Sequence, residues 1–378
     1  MKKYLKFSCC NVMCLITTLS FLKGGPALFI AFASITLLAV FGDLLLGDDS
    51  SSPQYKHTWL LNSFLYINLP LLILAMAAYL WQFGDGDPHG FGQWMDQTWG
   101  TALMAGKAAT QTSHLVGGFL GLGLLFGIAA TNVSHELVHR TWSRSAQETG
   151  RWLLAFTWDA AFAIEHVYGH HRRVATWDDP ASSRRGESFY PFFLRSLWMG
   201  NKSAWEIESS FLKKKRLPLW SHHNRLLRGW AISLLMVLAS YAMIGWQGVA
   251  LQVALALYGK AYLELVNYIE HYGLVRLPQT PVHLRHSWNS NSSISSWFLF
   301  NLTRHSHHHA TGHIPFWKLE PQTSAPRLPY GYMTMLLIAL IPPFFKALMK
   351  GPLDRWDASQ ATADEKAFIA GRGGLSAT

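Results

Sequence analysis

Six stretches of this chain, 7–22, 26–46, 58–82, 113–134, 228–245 and 247–269, are apolar over about the length a helix needs to cross a bilayer. A crossing takes roughly 17–25 residues at about 1.5 Å each. In hydrocarbon a lone segment satisfies its backbone N–H and C=O groups only as a helix. This feature predicts an all-α polytopic membrane protein with six transmembrane helices. The first stretch is short, and the fifth and sixth, joined around Trp246, form a tight helical hairpin. Composition agrees: 14% of residues are charged, against about 25% in ordinary soluble domains. The 17 tryptophans fit a residue type that collects at membrane interfaces.

Lys2, Lys3 and Lys6 ahead of the first apolar run resemble the start of a signal peptide. However, Lys23-Gly24-Gly25 leads at once into the second run without a small-residue cleavage pattern, so the first is read as a retained span. Six crossings put both termini on one side. Segments 135–227 and 271–378 share that side and hold most of the 32 lysines and arginines. The connection 83–112 sets Asp85, Asp87 and Asp96 against Lys107 alone. Basic loops stay inside, so the two polar segments and both termini are expected to be cytoplasmic, with 1–378 forming a single integral-membrane domain. The formal charge of +10 is distributed in blocks between spans, which argues against a nucleic-acid-binding face. The stretch 332–349, interrupted by Pro342-Pro343 and followed by Lys350, suggests a re-entrant or interfacial helix, not a seventh crossing. Cys9, Cys10 and Cys14 form no CxxC pair, so a disulfide framework, a zinc ribbon and a fused rubredoxin-like iron site are all excluded. Their expected role is packing as small hydrophobes.

The chain has 18 histidines, and their grouping carries the chemistry. His135 and His139 stand in HELVHR, His166, His170 and His171 in EHVYGHH, His271 in NYIEHYGL, and His305, His308 and His309 in RHSHHHA. Spacings of i, i+3 and i, i+4 put two imidazoles on one helix face, close enough to share a metal. At about 100° per residue, His305, His308 and His309 share one arc while His307 points the other way. Nine imidazoles exceed what one ion with open coordination can use, so two metals are expected. Imidazole suits Zn, Cu, Fe and Ni, so residue type alone does not choose. HExxH alone is also a zinc-protease signature, and His222-His223, near a basic loop, reads as a surface pair. On the last span Glu264, Asn267, Glu270 and His271 recur as one stripe, and Asp43 is a further intramembrane carboxylate. Groups of this kind are costly in a membrane and face functional interiors. Their expected role is hydrogen bonding to the ring nitrogens opposite the metal. Lys260, one turn before Glu264, is placed to pair with it.

At these residues the sequence resembles the membrane-bound alkane 1-monooxygenase (alkane omega-hydroxylase) family, related to xylene side-chain monooxygenases. HELVH, EHVYGHH, NYIEHYGL and RHSHHHA match its four histidine boxes in order and spacing, and the likeness covers roughly residues 26 to 356. Arg173 to Phe192 and Arg285 to Asn291 also look like family segments. The resemblance implies a cytoplasmic histidine-rich cap holding two iron ions on the six-helix bundle, in a bacterial-type inner membrane. It implies O2-dependent hydroxylation of alkanes or alkyl side chains to primary alcohols, with electrons from a rubredoxin or ferredoxin and its reductase. The family places a residue of the second span in the substrate channel; alignment on Asp43 and Gly47-Asp48-Asp49 makes it Ile35. One departure is visible: His307 stands where the family commonly has Asp.

The chemistry fits independently. An unactivated C–H bond offers no polar handle for acid–base attack, apolar substrates partition into lipid, and the chain has no flavin or iron–sulfur motif. The basic face, including Lys213, Lys214, Lys215 and Arg216, would steer an acidic donor. The nearest alternative is a desaturase or a hydroxylase of another lipid with the same iron chemistry. A zinc protease built on HELVH leaves most of the histidines unexplained, and a metal transporter would place its ligands mid-span.

Overall fold

The computed structural model describes residues 2–371. Met1 and residues 372–378, the end of the expected segment 271–378, lie outside the described residues. Among the described residues the chain is helical, with only isolated bridges such as Asp48 to Ser292. Six helices are long and apolar enough to cross a membrane: Lys3–Lys23, Gly25–Leu46, Thr58–Phe83, Thr112–Val138, Arg225–Ile244 and Trp246–His271. They correspond one for one to the apolar stretches. The fourth runs further than expected, carrying His135 within the helix, and the sixth ends on His271. Glycine turns separate adjacent spans. Gly24 (φ 74°) divides the first from the second, and its absent Cβ leaves room for the Gly106 carbonyl, which a side chain there would strike. Gly245 (φ 66°) divides the fifth from the sixth. Both adopt backbone conformations that side chains disfavour.

The chain groups into two compact units. The first comprises 1–38, 56–160 and 227–262. Its fourth span carries Gly117, Gly118, Gly121, Gly123 and Gly127, and each is a contact site. Phe29 seats against Gly117, Tyr79 against Gly118, the Ala31–Phe32 backbone against Gly121, Tyr258 against Gly123 and Tyr262 against Gly127. Between apolar helices in lipid, association depends on close packing, which small residues permit. Cys10 lies beside Asn68, its thiol donating to Oδ1 over 3.4 Å. The helix Arg144–Leu154, capped by Ser143 accepting from Ala146 N, packs back along Val133–Val138. Asp159 accepts from Lys260 at 2.7 Å. The stretch 141–160 belongs to this first unit.

The second unit comprises 39–55, 161–226 and 263–378. Buried Arg304 holds three loops together, donating to the carbonyls of Asp49 (2.8 Å), Ser51 (3.0 Å) and Leu319 (2.6 Å). An arginine with most of its fork engaged by carbonyls is a costly group made stable by its partners. The stretch 332–349 forms two helices, Tyr332–Ala339 and the start of Pro342–Ser359. Proline at the first helical positions lacks an N–H that would be unused there, so the break falls before Pro342. Phe345 seats against Tyr268 and Tyr272, with ring centres 5.0 and 4.9 Å away.

Candidate metal centre

Two of the histidine motifs have π-helical turns, wider than the α form, before or within them. Residues Phe126–Asn132, two residues ahead of HELVH, are π-helical, and HELVH itself continues as α-helix; His166–His170 in EHVYGHH are π-helical. Such turns bond i to i+5 and shift the phase of the residues after them. In the first unit, the rings of His135 and His139 face one another with centroids 4.9 Å apart. Between them Glu136 is committed elsewhere: Arg140 donates to it from Nε at 3.1 Å and from a second nitrogen at 2.8 Å, while also reaching Asn62 at 2.7 Å.

The second unit gathers the other seven histidines into two groups. Across the π turn, His166 and His171 bring their Nε2 atoms to 3.2 Å at a spacing of five residues. His170 turns away, its Nε2 lying 3.2 Å from that of His309. On the helix His305–Ala310, His305 and His309 approach to 2.9 Å, and His305 lies 3.3 Å from His271. His308 turns instead to His171, at 3.0 Å. One group is therefore His170, His271, His305 and His309, and the other contains His166, His171 and His308. EHVYGHH and RHSHHHA each divide their histidines between the groups, while His305 and His309, four residues apart, stay together.

The geometry fits metals. A metal held at about 2.0–2.1 Å from each nitrogen sets neighbouring donors about 3.0–3.4 Å apart, from tetrahedral or octahedral angles. The seven Nε2 atoms are spaced in that way. Hydrogen bonding explains the spacing poorly, because a neutral imidazole has one N–H and His305 Nε2 has two imidazole neighbours at this range. The first group is enclosed, with none of its four residues above 5% exposed.

Carboxylates frame this enclosed group. His170 donates from Nδ1 to Asp179 at 2.8 Å, and Ser182 Oγ donates to the same oxygen at 2.6 Å. Burial alone would raise the Asp179 pKa, but His170 and the Ser182 hydroxyl hold it below the usual range. The contact fixes the His170 tautomer with its Nε2 lone pair toward the group. Glu270 accepts from the Tyr332 hydroxyl at 2.8 Å, and its other oxygen lies 3.2 Å from His305 Nε2. Burial, reinforced by Asp179, pushes Glu165 up to about 7 against the pull of His170 and Arg173, whose guanidinium donates to it at 2.6 Å.

The remaining expected residues have other partners. Asp43 accepts from the Ser295 backbone N–H at 3.0 Å and from its hydroxyl. Glu264 accepts from Ser196 at 2.6 Å and Asn267 at 3.3 Å. His307 stands apart from both groups, its Nδ1 accepting from Glu320 N at 2.8 Å. His222 and His223 are exposed and lie against one another. Ile35 is 1% exposed, inside the first unit. Sequence reasoning missed Asp179 and Tyr332. The Asp178-Asp179-Pro180 turn lay within a segment noted as family-like, whereas nothing local marks Tyr332.

The fatty acid desaturase family profile matches residues 110–338. The alkane 1-monooxygenase of Acinetobacter baylyi is 42% identical over 235 residues, 61% of this chain and 57% of that protein. Against this relative the chain spans little more than half the length. Alkane 1-monooxygenase 1 of Pseudomonas aeruginosa is 33% identical over 333 residues, 85% of this chain and 82% of the relative. The hydroxylase component of the xylene/toluene monooxygenase of Pseudomonas putida is 33% identical over 257 residues, covering 67% and 68%.

Proposed function

Because the chain belongs to the alkane 1-monooxygenase family, we propose that it uses O2 to hydroxylate terminal methyl groups of alkanes or alkyl side chains to primary alcohols at two histidine-held irons. The observation that carries this reading is the pair of convergent Nε2 groups. The enclosed group takes one iron. His166, His171 and His308 serve the other, to which the family motif adds His135 and His139. When bound, iron supplies the oxidising power toward an unactivated C–H bond that no side chain here offers. The residues supply the setting. Asp179 keeps His170 in one tautomer, the neutral imidazoles present lone pairs, and burial excludes water from the enclosed group.

Electrons come from a rubredoxin or ferredoxin with its reductase, and the two polar segments and both termini face the cytoplasm of a bacterial-type inner membrane. The zinc-protease alternative is disfavoured by Arg140, which engages the Glu136 carboxylate that a protease would need as general base. A desaturase acting on another lipid shares the iron chemistry and is separated by product analysis alone.

Metal and product analysis test the proposal together. Purified protein should hold about two Fe per chain, as its imidazole donor set implies, and should be inactive with NAD(P)H until donor and reductase are added. His271→Ala and His308→Ala should each lower turnover more than about 100-fold, beyond the range typical of residues that only support ligands. His307→Ala and His222→Ala should retain most activity. One zinc per chain without iron overturns the reading. Ile35→Trp should shorten the longest alkane accepted while leaving short ones unaffected; identical length profiles would remove Ile35 from the channel and leave the hydroxylase reading standing.

A further inference from the structure

A polar side chain inside an apolar span is costly unless something answers its hydrogen bonds. On the fourth span the neighbours of Asn132 are answered within the helix. Thr131 donates from Oγ1 to the Gly127 carbonyl at 2.6 Å, and Ser134 from Oγ to the Thr131 carbonyl at 2.7 Å. Buried amides of the other spans are held too. Asn11 donates to Asn68 at 3.0 Å, Gln82 to the Phe21 carbonyl at 2.9 Å and Gln252 to the Phe156 carbonyl at 3.3 Å. Asn132 differs from them all. It is 7% exposed, and among the described residues it alone has both amide atoms, Nδ2 and Oδ1, buried without a partner. Its place on the helix is equally distinct. Asn132 ends the π-helical stretch, and Val133–Val138 continues as α-helix. At about 100° per residue, Asn132 shares one arc of about 100° with His135, Glu136 and His139. It stands about 4.5 Å along the axis from His135, on the side toward the middle of the span.

We propose that the Asn132 side chain hydrogen-bonds the hydroxyl of the alcohol product, and so makes the site hold product more tightly than substrate. The inference rests on the hydroxylase reading above. An alkyl tail stays among the apolar spans while its terminal carbon reaches the histidines of HELVH, so that carbon lies at the end of the span that carries Asn132. Before reaction it bears only C–H bonds, which offer an amide nothing. Afterwards it bears an O–H, which both donates and accepts and therefore suits whichever amide atom faces it. A site built to hydrogen-bond a hydroxyl discriminates against the analogue that lacks one. The π turn that ends on Asn132 belongs to a class of helix distortion frequent at functional sites.

Binding without turnover tests this. The full chain, iron-loaded and in nanodiscs with no electron donor, is given isotopically labelled n-nonane, which 1-octanol or unlabelled n-nonane then displaces. The two probes match in length, and empty nanodiscs subtract partitioning into lipid. Wild-type protein should prefer 1-octanol. Asn132→Leu, similar in size, should cut that preference about five- to tenfold, the worth of one buried hydrogen bond, while holding n-nonane as well as before or better. Asn132→Gln, which keeps the amide one methylene further out, should restore part of it. Thermal unfolding separates this role from a structural one. With no protein partner to lose, Asn132→Leu should melt no lower than wild type. A lower melting temperature, or failure to fold, would assign the amide to holding the helices together and overturn the proposal. An unchanged preference for 1-octanol in Asn132→Leu also overturns it, and leaves the hydroxylase reading standing. Wild-type protein that makes no alcohol from any alkane or alkylbenzene, with donor and reductase present, overturns that reading and the proposal with it.

Discussion

The two histidine groups of the second unit differ in how they meet water. His170, His271, His305 and His309 are enclosed, with carboxylates against two of them. In the other group His166 and His308 are buried, but His171 is half-exposed and adjoins exposed Arg172. The ring of His171 also needs the open side of Gly312, where a Cβ would stand 2.9 Å from it. The contrast follows from electrostatics. A cation shut away from solvent requires fixed anions near it, whereas one whose ligand shell reaches the surface is partly screened by water. The enclosed group should therefore depend on its carboxylates, and the half-open one on the packing of a single ring.

The comparison breaks most readily at Asp179. Asp179→Asn removes the acceptor that fixes His170, and iron in the enclosed group should be held about 10–100-fold less tightly, with a comparable fall in turnover. A chelator chase resolving a fast and a slow iron measures this, and equal loss of both irons would erase the distinction between the groups. Gly312→Ala sharpens it from the other side. The added methyl must displace the His171 ring, so the other iron should be released a few-fold faster, an effect on the order of 1 kcal/mol. A variant that loosened the enclosed iron instead would contradict the assignment. The smallest effect concerns donor access. Lys213, Lys214, Lys215 and Arg216 are exposed, and replacing all four with Gln should raise the apparent KM for the donor by less than about threefold at physiological salt and more at low salt. A KM unchanged at every ionic strength would assign the run to membrane topology or lipid headgroups.

Much of this organisation was legible in the sequence, because span length and histidine type are local properties. Six apolar stretches became six helices, and the proline pair at Pro342 correctly ended a helix. What could not be read was phase. Regular α spacing allows His166 with His170 and puts His305, His308 and His309 on one arc; His305 and His309 do stay together, but the π turn pairs His166 with His171, and residues from other segments draw His170 and His308 to different partners. Hydrogen-bond partners contributed from far along the chain were equally hidden. Asp43 meets Ser295, and Glu270 meets Tyr332, pairings that no periodicity encodes. Lys260 illustrates the same limit: its proximity to Glu264 in sequence held no hint of Asp159.

The π turn at His166–His170 also bears on which changes in chain length this protein can absorb. It spends five residues on a step that an α-helix makes in four. Removing Val167 would let the turn close to α pitch with His166 and His171 still stacked one turn apart. The same single-residue deletion between His305 and His309 has no such slack, and would rotate one histidine from the other by about 100°. Over the course of divergence, one motif can lose a residue and keep His166 and His171 one turn apart, while the other can change only letter by letter.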